Sequence, residues 1–141
     1  MSDPWSLFGT TATGVLTTQK RDGRPQLSNV GYLWDPEPRI LLISITDDRA
    51  KTRNLRRDPR ASFYVTTPTF GAYAVGEGVA ELGAVARRPD DDAVDALVAH
   101  YRALRGEHPD WTEYREAMVA EKRLLLRLPL THAYGWVPDA A

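Results

Sequence analysis

The chain contains no cysteine, which excludes a disulfide framework, a thiolate nucleophile and any cysteine-ligated metal site. Lysine is scarce as well: Lys20, Lys51 and Lys122 are the only lysines among 18 basic residues, and the rest are arginine. With the abundance of alanine, that bias points to a GC-rich genome. No long apolar run is present. The longest aliphatic stretch, "ILLI" at 40–43, is far too short to span a bilayer, and "MSDPWSLFG" lacks the basic-then-apolar build of an export signal, so a soluble cytoplasmic protein is expected. Strong net charge is also missing. At a formal charge of -1 and a pI near 6.3, with no zinc-finger, RRM or KH signature, no nucleic-acid partner is expected. His100, His108 and His132 lack the spacing and carboxylate companions of a zinc site, so no metal is expected and each is placed at a surface or interface.

What remains is an ordinary globular composition: 141 residues, 43% hydrophobic and 26% charged, read as one domain over 1–141. "TGVLTTQK" at 13–20 and "PQLSNVGYLW" at 25–34 have strand character, and "RDGR" between them is a hairpin signal because Asp-Gly accepts positive φ at little cost. "RILLISIT" at 39–46 reads as a strand buried on both faces, completing a meander. A short helix follows, with Thr46 or Asp47 as cap and acidic residues in its first turn, stopped by "DP" at 58–59. "RASFYVTT" is a fourth strand, and "AYAVGEGVAELGAVA" a fifth whose Gly76 and Gly78 suggest a bulge or a bend. Helical spacing then takes over in 90–105 and 110–120, the second helix carrying Trp111, Tyr114 and Met118 as core residues. "RLLLRLPL" and "AYGWV" supply a final strand or two. Short antiparallel strands with glycine bends favour a small closed or split barrel over a parallel α/β sheet, since the first strands lack crossover helices.

The densest feature is "TDDRAKTRNLRRDPRAS", with six cations between Arg49 and Arg60. Arg49, Arg53 and Arg57 stand at i, i+4 spacing, where each like-charge pair costs about 0.2–0.5 kcal/mol in an isolated helix. Arg49 and Lys51 also fall where the helix dipole favours anions. A solvated face in which Asp47 pairs with Lys51 would be the bland explanation. The local cost argues instead for a phosphate at the helix start, where free N–H groups and side-chain cations meet it together. No triad, metal cluster or nucleophile accompanies it, and "GEGVAELG" sits within a strand, so a Rossmann reading is rejected.

The segments "GRPQLSNVGYLWDP", "DRAKTRNLRRDPRAS", "AYAVGEGVAEL", "PDDDAVDALVAHYRALRGEHPDW" and "LPLTHAYG" resemble the actinobacterial split β-barrel deazaflavin proteins. These are the pyridoxamine-phosphate-oxidase-like, coenzyme F420-dependent reductases of the flavin/deazaflavin oxidoreductase superfamily, and the likeness runs from about residue 13 to 135. It implies a mainly β (α+β), six-stranded antiparallel split barrel with Greek-key elements and flanking helices, paired as a homodimer with cofactor grooves at the interface. It also implies that Arg49 and Lys51 hold the cofactor phosphate, assisted by the Ala50 backbone and Asn54. Gln26, Ser28, Asn29, Ser44 and Ile45 are carried over as contacts to the ring, and Tyr73 and Phe70 as candidates reaching the other protomer's site.

Hydride transfer from reduced F420 to an enone or quinone-like small-molecule acceptor is the expected chemistry, with solvent or Tyr73 as proton donor. FMN is the alternative cofactor, and a non-catalytic F420 carrier the alternative function. Flavin-using oxidases of this type commonly have adjacent Arg-Lys where this chain has Ala50-Lys51, which speaks against pyridoxamine phosphate oxidation. Trp136 is open between ordinary packing, the simplest reading, and a dimer seam or acceptor-pocket border.

Overall fold

The computed structural model describes residues 3–139. Its strands are β1 (Thr13–Gln19), β2 (Pro25–Gly31), β3 (Leu33–Asp35), β4 (Ile40–Thr46), β5 (Arg60–Thr66), β6 (Tyr73–Val79), β7 (Glu81–Leu82) and β8 (Arg123–Trp136). Helix α1 (Ala50–Arg57) joins β4 to β5, and α2 (Asp92–Arg105) and α3 (Trp111–Ala120) lie between β7 and β8. One antiparallel sheet of 8 strands results, ordered β2-β1-β5-β6-β8-β4-β3, with β7 paired to β8 outside that path. The expected count of six is therefore corrected to eight: the second and fifth expected strands each divide in two.

The division has a physical cause. β2 and β3 lie at opposite ends of the ladder path, yet Tyr32 alone separates them, so the sheet must curl until its two edges nearly meet. Tyr32 anchors that corner. Its ring is buried edge-on against Phe63 and its hydroxyl donates to the Phe8 carbonyl. At the far side β8 does the same for two partners, pairing with β4 through Arg123–Pro129 and with β6 through Leu130–Trp136. The "final strand or two" is thus one continuous strand of 14 residues. Between Glu77 and Gly78 the register slips against β8, as the glycines suggested. A Cβ at Gly78 would sit 1.9 Å from the Pro129 carbonyl oxygen, so the close approach admits only glycine.

Two apolar clusters form. The larger fills the curl of the sheet with Leu16, Leu41, Ile43, Phe63, Leu124, Leu126 and Leu128, and Phe8 of the N-terminal 3-10 turn plugs it, fully buried. The smaller joins Val94, Leu97 and Val98 of α2 to Tyr114 and Met118 of α3, as their spacing predicts, with Trp111 packed at its edge. Asp91 caps α2 by accepting from the Val94 N–H (2.8 Å), and Asp110 caps α3 by accepting from that of Glu113 (3.1 Å). No helix among the described residues is long and apolar enough to cross a membrane.

Helix α1 starts later than its sequence suggests. Thr46, Asp47 and Asp48 are spent in the approach: the Thr46 carbonyl accepts from the Arg49 N–H and the Thr52 hydroxyl, and Asp47 N–H donates to the Lys122 carbonyl. Arg49 becomes the N-cap residue, without a side-chain cap, and no acidic residue occupies the first turn. The expected cap and acidic first turn are thereby corrected.

Candidate functional site

The six cations of the basic block divide into two populations. Arg53 donates to the Asp48 carbonyl, Arg56 pairs with Asp47, Arg57 donates to the Gln19 carbonyl and Asn54, and Arg60 makes a two-point pair with Asp58. These four tie α1 and its flanks to their surroundings. Among the described residues, Arg49 and Lys51 are paired with no carboxylate. The bland expectation of an Asp47–Lys51 pair fails because Asp47 is held by Arg56 instead.

Arg49 and Lys51 face a pocket of about 530 Å³ between the end of the sheet and the two later helices. β2 contributes Asn29, Val30 and Gly31 to it, and β4 contributes Ser44, Ile45 and Thr46. The opposite wall is His100, Tyr101 and Arg105 of α2 with Tyr114 and Met118 of α3. Arg123, at the start of β8, closes one side, its guanidinium 3.4 Å from the Ser44 oxygens and 3.0 Å from Glu121. Four cationic side chains thus share the pocket with a single carboxylate, Glu121, which is already engaged. Burial pushes the Lys51 ammonium below the usual lysine range, and the charges of Arg49 and Arg123 push it further. The protein spends free energy to keep positive charge here, and an anion would relieve it.

Of the residues expected at the site, Asn29, Ser44, Ile45, Arg49 and Lys51 line this one pocket, and Ala50 is the first residue of the adjoining helix. Gln26 and Ser28 do not join them. They pair across from Thr18 and Leu16, both fully buried, and so share the inner face of β1 and β2, whereas Asn29 points the other way. Asn54 is buried, donating to the Thr18 hydroxyl at 3.1 Å and accepting from Arg57, which locks α1 onto β1. Tyr73, on β6, lies two strands from β4 and three from β2 along the sheet, on the face opposite the core, beside Tyr64 and opposite Trp136. Phe70 is the most exposed large apolar residue among those described, at 77%, held at φ 59° in a loop closed by hydrogen bonds between Thr66, Thr67 and Ala72. Trp136 is 55% exposed, so ordinary packing does not describe it.

Three contributors were missed. Arg105 and Arg123 belong to no basic block, and only the ladder pairing Ser44 with Leu125 carries Arg123 to the pocket. His100, expected at a surface or interface, is buried to 7% exposure, and its Nε2 lies 3.0 Å from the Leu42 carbonyl oxygen. The apolar spacing of α2 held the signal, because His100 falls between Leu97 and Leu104 on the stripe that faces the sheet. Among the described residues no cluster could hold a metal ion.

The architecture has counterparts among solved structures. A conserved hypothetical protein from Mycobacterium tuberculosis is 23% identical, with TM-score 0.72 over 100% of this chain and 91% of that one. An F420 reductase is 22% identical, TM-score 0.67, covering 92% of this chain and 94% of its own. A heme-binding protein from Mycobacterium smegmatis is 23% identical, TM-score 0.67, over 94% of this chain and 52% of that one. At these identities each is a likeness of fold. The family model described as pyridoxamine 5'-phosphate oxidase matches residues 7–137, nearly the whole chain, and the protein belongs to that family.

Proposed function

We propose that this protein is a deazaflavin-dependent reductase that binds coenzyme F420 in the pocket beside α1. The observation that carries the reading is the uncompensated charge of Arg49 and Lys51, with Arg123 beside them, at a helix start lacking any side-chain cap. That donor set fits a phosphoester: two or more cations offer charge-assisted hydrogen bonds beside a helix start that no side chain caps. Asn29 and Ser44 offer polar contacts to a heterocycle lying along β2 and β4, whereas the Ile45 side chain, 1% exposed, is turned into the core behind them. An F420 reductase is among the proteins with this fold, which supports the same assignment. When bound, the reduced deazaflavin would supply a hydride at C5 to an electron-poor enone or quinone-like acceptor. The chain's own residues bind and orient; the accompanying proton is assigned to solvent or the Tyr73 hydroxyl.

Tyr73 can serve a pocket only if a second copy of the chain delivers it, and a homodimer is part of the proposal. Phe70, Tyr73, Tyr134 and Trp136 are all exposed, and the ladder sets Tyr73 against Trp136 and Val75 against Tyr134 on one face. Holding a phenylalanine at positive φ costs of order 1–3 kcal/mol, a cost understandable where the ring is displayed for contact. Sedimentation should report a dimer at micromolar protein; a monomer removes the role given to Tyr73.

Parallel titrations of F420 and FMN against purified protein test the cofactor assignment. F420 is expected to bind, and binding of FMN alone would make this a flavoprotein instead. Turnover of reduced F420 with enones and quinones is then expected; tight binding without turnover would make the protein a carrier.

A further inference from the structure

On the helical wall of the pocket, His100 is buried yet half-partnered. Its Nε2 lies 3.0 Å from the Leu42 carbonyl oxygen, which can only accept, so Nε2 carries the hydrogen. In the neutral ring the other nitrogen, Nδ1, is then a bare acceptor. No buried side-chain nitrogen or oxygen among the described residues lacks a hydrogen-bond partner, and the only hydrogen bond of the His100 ring is the one to Leu42. Nδ1 must therefore reach open space, and for a side chain this deeply buried that space is the pocket it lines. Burial holds the imidazole below its ordinary range and the nearby Arg105 charge adds to the effect, against the opposing pull of the Leu42 bond. The ring stays neutral beside the cations of the pocket.

We propose that His100 Nδ1 accepts a hydrogen bond from a neutral donor, a hydroxyl or ring N–H, of the molecule bound in this pocket. The assignment adds a second contact point to the pocket, on the wall facing the α1 cations, and selects for a ligand carrying a protic group as well as an anion. A purely anionic tail leaves Nδ1 unsatisfied, which is the way a buried polar group rejects the wrong ligand. It rests on the reading of the pocket given above, since both F420 and FMN offer hydroxyls and a ring N–H.

The test uses the wild-type protein with 15N-labelled histidine and the variant His100→Gln. Glutamine can keep an N–H donor to Leu42 but has no acceptor at the Nδ1 position. In the free wild type, 15N spectra should show the Nε2–H tautomer for His100, and saturating F420 or FMN should shift Nδ1 in the direction of an accepted hydrogen bond. His100→Gln should keep the thermal midpoint of the wild type and bind the same cofactor about three- to tenfold more weakly, the range for one net hydrogen bond. An Nδ1 signal unmoved by a ligand that demonstrably binds overturns the proposal and leaves the cofactor assignment intact. Failure of the wild type to bind either F420 or FMN overturns the cofactor assignment, and the role given to Nδ1 falls with it. Should the variant fail to fold, the wild-type spectra decide alone.

Discussion

Helix α2 opens on Asp91, whose carboxylate accepts from the N–H groups of Arg87, Arg88 and Val94, with Asp92 and Asp95 in its first turn and Arg102 and Arg105 in its last. Helix α1 opens on Arg49, uncapped, with Lys51 in its first turn and Arg123 brought in from β8. The first arrangement gives the helix start a carboxylate cap and follows the helix dipole; the second has no side-chain cap and opposes the dipole. Both helices end conventionally, with arginines in the last turn. The difference is thus confined to one end of α1, and it separates a helix end capped within the chain from one that the described residues leave uncapped.

The largest expected effect comes from emptying the open end. Lys51→Ala should weaken F420 binding by roughly ten- to a hundredfold, the range for losing one charge-assisted hydrogen bond, with no loss of stability in the free protein. Equilibrium titration paired with urea denaturation checks both halves, and unchanged affinity would erase the contrast between the two helices. Converting α1 to the α2 pattern comes next. Arg49 has the extended backbone of a capping residue, φ -82° and ψ 154°, so Arg49→Asp should install a cap, stabilise the free protein by about 1 kcal/mol and cost affinity. If both stability and affinity fell, Arg49 would be holding α1 together.

The reverse experiment is Asp110→Ala at the start of α3, which should destabilise by about 1 kcal/mol and leave F420 affinity alone. The smallest effect concerns acid. Hydrogen bonds from Arg60 hold the Asp58 carboxyl down to about 2 from an ordinary 3.8. A depressed carboxyl stabilises the fold above its unfolded pKa, and that contribution disappears as pH falls from about 4 to about 2. Asp58→Asn should flatten this part of the stability-against-pH curve, measured by thermal unfolding, without touching ligand binding. A parallel change in affinity would join the two populations of cations that the structure keeps apart.

Legibility followed sequence distance. The hairpin at Arg21–Arg24 and the apolar stripe of α2 were readable because each is settled by residues within a turn or two of one another. The basic block stood out as a locally costly placement, and that cost identified Arg49 and Lys51. It did not show which cations were spent internally, since Arg57 finds its acceptor at Gln19, 38 positions away. Gln26 and Ser28 were grouped with Asn29 by a family resemblance carried over to the strand as a whole, although alternate residues of a strand face opposite sides.

The sequence by itself determined the helices, most of the strands and the misplaced positive charge, because these depend on short-range backbone and dipole energetics. Only the tertiary structure decided where the curl of the sheet closes, that Arg123 reaches Ser44 from 79 positions away, and that His100 turns a bare nitrogen into the same pocket. The first two follow from ladder register, which sums contributions over the whole chain and leaves no local mark; the third follows from the packing of α2 on β4, of which the apolar spacing of α2 carries the only local trace.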